Sequence, residues 1–201
     1  MSKVKICGLF RIKDAEYVNE ARPDYAGFVF ARSKRQVMPV QAAEIRCCLT
    51  PGIRTVGVFV NERPEHIARI ARYCQLDLIQ LHGQETEQEI RQIHQLTGLD
   101  VIKAVHVEEA AMWNASEAEY LLIDHGAGGT GEAFDWTELP DLSKPFFLAG
   151  GIGLHNIAQA TGTGAFALDI SSGAETDGIK DREKICRIVQ EVRRSGGDQN
   201  E

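Results

Sequence analysis

The sequence has no apolar run that approaches the length of a membrane span, and its first residues lack the apolar stretch that precedes a secretory cleavage site. Cations are also few, because 22 lysines and arginines face 29 aspartates and glutamates and leave a net charge of −7. Nucleic-acid binding needs clustered cations, so this balance argues against a nucleic-acid partner. We therefore expect a cytoplasmic protein that binds neither membranes nor nucleic acid.

Metal-type cysteine spacing is absent as well. The five cysteines, at positions 7, 47, 48, 74 and 186, are odd in number and form no paired motif, which favours free thiols in a reducing compartment. No metal site is expected. The length of 201 residues suits one sizeable core, so we expect a single domain over residues 1–201 whose polar tail, about 195–201, frays.

Apolar runs alternate with helix-like segments along the whole chain. The runs predict strands over 4–8, 25–30, 55–60, 76–81, 101–105, 120–124, 146–151 with its loop, and 166–170. Helices are predicted over 11–21, 39–49, 64–73, from 86 onward, 108–115, 156–161 and 181–194.

About eight strand-then-helix units are typical of an α/β fold of the (β/α)8 barrel type, here at minimal length. The strands are continuous apolar runs, as expected for a parallel sheet covered on both faces. A doubly wound open sheet is the alternative. It is disfavoured because no G-x-G-x-x-G follows the first strand, and the glycine-rich loops come after later strands.

The carboxyl ends of the strands meet on one face of such a barrel, so the residues there are the candidates for chemistry. Loops after the seventh and eighth strands often hold phosphate through backbone N–H groups. The phosphate-site candidates are Gly150, Gly151, Ser171, Ser172 and Gly173. The other strand ends contribute Cys7, the loop Arg32 to Arg35, Asn61, Gln80, His82, Lys103, Asp124 and Asp169.

Cys7 and Asp124 are the residues best suited to proton transfer. Cys7 ends the first strand, where a buried structural thiol, a general base and a nucleophile are all open interpretations. A nucleophile would need a histidine such as His82 or His125. Asp124 ends the sixth strand, where a carboxyl either orders the following loop or serves as a general acid or base.

The sequence also predicts a ligand for one basic residue and the orientation of two others. The planar fork of Arg35 suits a ligand carboxylate. Lys5 shares a strand face with Cys7, so it is expected to point into the barrel, and Lys103 is expected to do likewise. A buried ammonium needs an anion, so at least one of these lysines should pair with an acidic residue inside the barrel.

Taken in order, the motifs KICG, GFVF with SKR, VGVFVN, LIQLHG, IKA, LLID with GGTGEAFDW, AGGI and ALDISSG resemble those of the phosphoribosylanthranilate isomerase family of tryptophan biosynthesis. The resemblance runs from residue 3 to about residue 190. It implies a (β/α)8 barrel that converts N-(5-phosphoribosyl)anthranilate into 1-(2-carboxyphenylamino)-1-deoxyribulose 5-phosphate. This Amadori rearrangement needs no metal or organic cofactor.

The same resemblance implies roles for individual residues. Cys7 would be the general base and Asp124 the general acid, Arg35 would bind the anthranilate carboxylate, and Asp169 would lie near the sugar hydroxyls. Gln80 and His82 would also contact the substrate, and the AGGI and SSG loops would hold its phosphate. The family contains monomers and homodimers, so either state is expected.

Two rival functions remain. One is a sugar-phosphate isomerase on a similar barrel that also acts in histidine biosynthesis, but such enzymes generally use paired aspartates and not a cysteine after the first strand. The other is a phospho-ligand sensor that has lost catalysis. Its binding role gives no reason to keep both Cys7 and Asp124.

Overall fold

The computed structural model describes residues 2–124, 136 and 139–197. Eight parallel strands close into a barrel in which each strand pairs with its neighbours in the chain and β8 returns to β1. They are β1 (Lys3–Cys7), β2 (Tyr25–Val29), β3 (Arg54–Phe59), β4 (Leu78–Leu81), β5 (Asp100–His106), β6 (Tyr120–Asp124), β7 (Phe146–Leu148) and β8 (Ala167–Ile170). The predicted (β/α)8 barrel is therefore confirmed.

Helices cover the outside of the barrel. They are α1 (Ile12–Ala21), α2 (Pro39–Cys47), α3 (Pro64–Cys74), α4 (Glu87–Thr97), α5 (Ile157–Thr161) and α6 (Arg182–Gly197), with a 3-10 helix over Val107–Ala115. Among the described residues, no helix is both long and apolar enough to cross a membrane.

Two details differ from the predicted elements. The last helix, predicted to end at residue 194, continues to Gly197, and the Ser195 hydroxyl donates to the carbonyl of Glu191, as within a helix. Before this helix, β9 (Glu175–Thr176) and β10 (Ile179–Lys180) form an antiparallel hairpin for which the sequence analysis made no prediction. The predicted glycine-rich loop at 125–131 lies outside the described residues.

The helix starts follow from local sequence. Pro39 and Pro64 each occupy the first helical position, where the missing N–H costs nothing. At α4 the Thr86 hydroxyl accepts from the N–H of Glu89, and the Glu89 carboxylate accepts from the N–H of Thr86. This is a capping box, formed by a threonine and a glutamate three residues apart.

The core consists of an outer and an inner layer, with a small separate cluster of Val105, Ala110, Leu121 and Ile123 beside the 3-10 helix. The larger layer packs the outer face of the barrel against the helices. The smaller layer fills the barrel interior with Tyr25, Val56, Leu78, Ile102, Leu122, Phe147, Ala149 and Ala167. Successive strand residues point to opposite faces, so residues two positions beyond an interior residue also point inward. This alternation places Gln80, Asp124 and Asp169 above the apolar interior, at the carboxyl end of the barrel.

The two lysines of the inner strands behave differently. Lys5 points into the barrel and pairs with Asp169 across β1 and β8, with 2.8 Å between Nζ and Oδ2, which confirms the predicted internal ion pair. The inward placement of Lys103 is wrong. Its neighbour Ile102 faces the interior, so Lys103 faces the helices, where it pairs with Glu85 at 2.9 Å.

Glu85 fixes the turn that follows β4. Besides the Lys103 ammonium, its carboxylate accepts from the backbone N–H groups of Asn61 and Gly83. Both charged side chains of the pair are almost fully buried. The turn that carries His82 is therefore tied to the outer face of β5.

Replacing Glu85 with glutamine keeps the shape of the side chain but leaves the Lys103 ammonium buried without an anion. We expect Glu85→Gln to lower the free energy of unfolding by about 3–5 kcal/mol, measured by urea denaturation. The control is Glu117→Gln, because Glu117 pairs with Arg91 in solvent and such pairs contribute little. Equal effects of the two substitutions would contradict this account of the turn.

Candidate active site

A cavity of about 210 Å³ opens at the carboxyl end of the barrel. All residues to which the family resemblance gives a role line it except Gly173, and so do Gly150 and Gly151, whereas the strand-end candidates Asn61 and Lys103 do not. These lining residues come from β1, β4, β6, β8 and the loops after β2, β4, β7 and β8. They are Cys7, Arg35, Gln80, His82, Asp124, Gly150, Gly151, Asp169, Ser171 and Ser172. The tertiary structure thus brings together residues that are far apart in the chain.

Cys7 is held at the last position of β1, opposite Gly27 of β2. A Cβ atom at Gly27 would lie 2.8 Å from the Cys7 sulfur, closer than real Cβ atoms approach, and 3.1 Å from the Cys7 Cα, which is tighter than most such contacts. The absent side chain of Gly27 is therefore what lets the thiol occupy this place. Cys7 is 7% exposed and borders the cavity.

Burial dominates the protonation of Cys7. It raises the pKa of the thiol, an effect that the ammonium groups of Lys5 and Lys180 oppose and the Asp169 carboxylate reinforces. The net pKa lies above the ordinary value of a thiol. Near neutral pH the favoured form of Cys7 in this structure is therefore the thiol and not the thiolate.

A line of polar contacts crosses the cavity floor from β1 to β6. Lys5 Nζ donates to Gln80 Oε1 at 2.6 Å, and Gln80 Nε2 lies 2.9 Å from His82 Nδ1. His82 Nε2 then lies 3.7 Å from Asp124 Oδ2. Together with the Lys5–Asp169 pair, these contacts connect both strands that carry the predicted acid and base.

The two predicted phosphate loops lie against each other. Asn156 braces the first, because its amide accepts from the N–H of Gly153 and donates to the carbonyl of Gly151. Gly173 ends the second loop and does not line the cavity, and a Cβ atom on it would come within 2.0 Å of the Ile152 carbonyl oxygen in the first loop. Its part is thus to let the two loops approach, while Ser171 and Ser172 border the cavity.

Arg35 forms one wall of the cavity and is held by a carboxylate. Its Nε and Nη2 donate to Glu175 Oε1 and Oε2 at 2.6 and 2.7 Å. Lys180 donates to the same Oε1 at 2.6 Å and to the carbonyl of Ser171 at 3.0 Å. Burial alone would raise the pKa of Glu175, but the two cations lower it, so this carboxyl is ionised.

Glu175 and Lys180 were missed by the sequence analysis, although a signal was present. They face each other across the β9–β10 hairpin, whose turn is Asp177-Gly178. Both turn residues have positive φ, 52° and 77°, as an Asp-Gly hairpin turn requires. The strands are two residues each, too short for an apolar pattern to indicate them.

His125, the other histidine considered as a partner for Cys7, lies outside the described residues. His82 does not contact the thiol directly, because Gln80 and Lys5 stand between them. Within residues 2–124, 136 and 139–197, no cluster of histidine, cysteine and carboxylate side chains is arranged to hold a metal ion.

The family model described as N-(5′-phosphoribosyl)anthranilate isomerase matches residues 4–191. The chain belongs to this family. A curated relative, N-(5′-phosphoribosyl)anthranilate isomerase of Endomicrobium trichonymphae, is 42% identical over 198 residues, which cover 96% of this chain and 99% of the relative. The resemblance seen in the motifs is therefore confirmed, and with it the prediction of an isomerase.

Solved structures of the same family are similar to this chain over nearly its whole length. The phosphoribosylanthranilate isomerase of Thermus thermophilus superposes with a TM-score of 0.87 at 32% identity, covering 96% of this chain and 98% of its own. Another member, in complex with reduced 1-(o-carboxyphenylamino)-1-deoxyribulose 5-phosphate, gives a TM-score of 0.81 at 34% identity, with coverages of 96% and 99%. The barrel of this chain is the barrel of the family.

The raised pKa of Cys7 predicts how the thiol reacts with iodoacetamide. Because only the thiolate reacts, the alkylation rate of Cys7 should rise with pH and reach its midpoint above that of an unstructured cysteine peptide. Mass spectrometry of the peptide that contains Cys7 measures the rate. The midpoint is compared and not the rate itself, since burial also slows access. A midpoint at or below that of the reference peptide would contradict the prediction.

Proposed function

We propose that this chain isomerises N-(5-phosphoribosyl)anthranilate with Asp124 as the general acid and Cys7 as the general base. The observation that carries the proposal is that both side chains line one cavity, on inward-facing positions of β1 and β6. A cation and two phosphate-type loops border the same space. An acid and a base on separate strands suit a reaction that adds a proton at one substrate atom and removes one from another.

The proton transfers follow from the substrate's chemistry. Asp124 gives its proton to the furanose ring oxygen, which opens the sugar to a Schiff base between C1′ and the anilino nitrogen. The Cys7 thiolate then takes the proton from C2′ and leaves an enolamine. Tautomerisation to the ketone adds a proton at C1′ and removes one from the C2′ hydroxyl, so it leaves the number of protons on the substrate unchanged. Cys7 then holds one proton and Asp124 lacks one, and exchange with water returns both groups to their starting states.

The raised pKa of Cys7 is compatible with its proposed role as the general base. A base with a pKa above neutral is a stronger proton acceptor once it is ionised, although less of it is ionised. Lys5 is positioned to offset the burial, because its ammonium favours the thiolate. We therefore expect the kcat/KM of the enzyme to increase as pH rises through neutrality.

Binding contacts for the rest of the substrate are available around the pair. Asp169 uses Oδ2 for Lys5, while its buried Oδ1 has no hydrogen-bond partner within the described part of the chain. A buried acceptor without a partner is costly, so a sugar hydroxyl is a suitable donor to it. The loops with Gly150, Gly151 and Ser172 are proposed to take the phosphate through backbone N–H groups.

The acid and base assignments are tested by turnover. Phosphoribosylanthranilate is generated in situ and its fluorescence is followed for the wild type, Cys7→Ser and Asp124→Asn. General acid–base groups contribute about 10²–10⁴-fold, so each variant should lose at least about 10²-fold in kcat. Circular dichroism must show unchanged folding. Activity that survives either substitution would remove that residue from its proposed role.

Arg35 is proposed to bind the anthranilate carboxylate through the side of its guanidinium that Glu175 leaves open. Glu175 occupies Nε and Nη2, so Nη1 remains for a ligand. Arg35→Lys keeps the charge but loses the planar fork. We expect a KM increase of about tenfold with a smaller change in kcat, because hydrogen bonds to charged groups contribute about 1.5–3 kcal/mol. A lower kcat at constant KM would contradict a binding role.

The rival sensor function is decided by the same assay, since a phosphorylated ligand bound without turnover by the wild type would favour it.

We further infer action in the cytoplasm, which is supported by the absence of disulfides, all five cysteines being free. Monomer and homodimer both remain predicted states. A single working domain over the chain is likewise proposed, supported by the closed barrel.

A further inference from the structure

The orientation of the Gln80 amide is determined by its neighbour on β1. Lys5 Nζ is 2.6 Å from one end of this amide and 2.8 Å from Asp169 Oδ2. An ammonium group donates hydrogen bonds and cannot accept them. The end of Gln80 that faces Lys5 must therefore be the carbonyl oxygen, and the NH₂ end must face the other way.

This orientation determines the tautomer of His82. The NH₂ group of Gln80 lies 2.9 Å from His82 Nδ1, and an amide NH₂ can only donate. Nδ1 must therefore accept, so it carries no proton. In a neutral imidazole the proton then resides on Nε2, the nitrogen that lies 3.7 Å from Asp124 Oδ2.

We propose that His82 is a positioning residue of the isomerase: Lys5 and Gln80 hold it as the Nε2–H tautomer, and its N–H stabilises the Asp124 carboxylate as that group gives up its proton. The inference rests on the proposed function, because it takes Asp124 as the general acid. The distance of 3.7 Å is longer than a hydrogen bond, so the proposed role requires this contact to shorten as negative charge develops on Asp124.

The choice of tautomer has a consequence for catalysis. With a bare Nε2, His82 would accept the proton of Asp124 and compete with the ring oxygen of the substrate. With Nε2–H, it interacts most strongly with the ionised carboxylate that forms during proton transfer. An interaction that strengthens towards the transition state lowers the barrier, whereas uniform binding does not.

The surroundings keep His82 neutral. Four charged groups on other strands act on it through their electric fields: Asp124 on β6, Asp169 on β8, Lys5 on β1 and, from the outward-facing side of β5, Lys103. Burial is the largest influence and lowers the pKa of His82; the two carboxylates raise it and the two ammonium groups lower it further. The net pKa lies below the ordinary histidine value, so the imidazole is neutral at pH 7.

Gln80→Glu is the decisive variant, because it is isosteric and reverses the hydrogen-bond requirement at His82. Both oxygens of a carboxylate accept, so Nδ1 must then carry a proton. Heteronuclear NMR of labelled imidazole nitrogens is expected to show Nε2–H with bare Nδ1 in the wild type and Nδ1–H in the variant. This measurement needs no turnover. A wild-type His82 protonated on Nδ1 would overturn the inference while leaving the proposed function intact.

Kinetics of the same variant test the role. A neutral His82 with Nδ1–H presents a bare Nε2 to Asp124, so kcat should fall about 10²-fold, as when one preorganised donor is lost. The carboxylate at position 80 raises the pKa of His82, and the imidazolium regains Nε2–H. The ratio of variant to wild-type kcat should therefore increase as pH is lowered.

Gln95→Glu is the matched control, since it makes the same charge change at an exposed position of α4. Its kcat ratio should be near one and independent of pH. A Gln80→Glu ratio that does not vary with pH would overturn the proposed role of His82. No turnover by the wild type would overturn both this role and the proposed function.

A second pair of variants covers the case in which Gln80→Glu fails to fold. His82→Gln keeps an N–H donor near the position of Nε2, and His82→Leu removes it. We expect His82→Leu to lose about 10²-fold in kcat with little change in KM, and His82→Gln to recover most of that loss. Equal losses in both variants, or a change confined to KM, would show a packing or binding role instead.

Discussion

A lysine ammonium buried inside the barrel is the constraint on which the site depends. Lys5 has no solvent exposure, and moving an ammonium out of water costs several kcal/mol unless partners compensate. Burial by itself would lower the pKa of Lys5, but the adjacent Asp169 carboxylate opposes burial and the net pKa is raised. The cation therefore stays charged and fixes the orientation of each polar group that it contacts.

The Lys5 ammonium donates hydrogen bonds to Asp169 and Gln80, and each of these bonds allows only one orientation or charge state of its acceptor. Asp169 must be ionised to compensate Lys5, and the Gln80 carbonyl must face it. The same ammonium opposes the effect of burial on the Cys7 thiol. One cation thus influences the base directly and, through two neutral side chains, the environment of the acid. Fixed dipoles of this kind need little rearrangement when charge develops in the substrate.

A second charged group orders the opposite wall of the cavity. Glu175 accepts from both Arg35 and Lys180, and Lys180 also donates to the carbonyl of Ser171. The arginine wall and the second phosphate loop are therefore connected through one carboxylate. Because Glu175 comes from a hairpin that follows β8, the rim relies on an element outside the eight repeated units.

The sequence by itself determined the repeating strands and helices, their start signals and the identity of the residues at the strand ends. These features depend on local propensity and on apolar patterning, which a short window of sequence contains. It also placed Lys5 inside the barrel, because alternation along β1 gives it the same face as Cys7. The family motifs added the chemistry, since those of β1, β4, β6 and β8 include the residues at the carboxyl ends of these strands.

The tertiary structure alone decided which partners these residues meet. Lys103 faces the helices because of the register of β5 with its neighbours, and its partner Glu85 follows from the turn after β4. The pairing of Arg35 with Glu175 and the contact of Gln80 with Lys5 join positions far apart in the chain. The pKa of Cys7 is raised because strands far away in the sequence bury its thiol. Such contacts result from closure of the barrel, which no local pattern in the sequence contains.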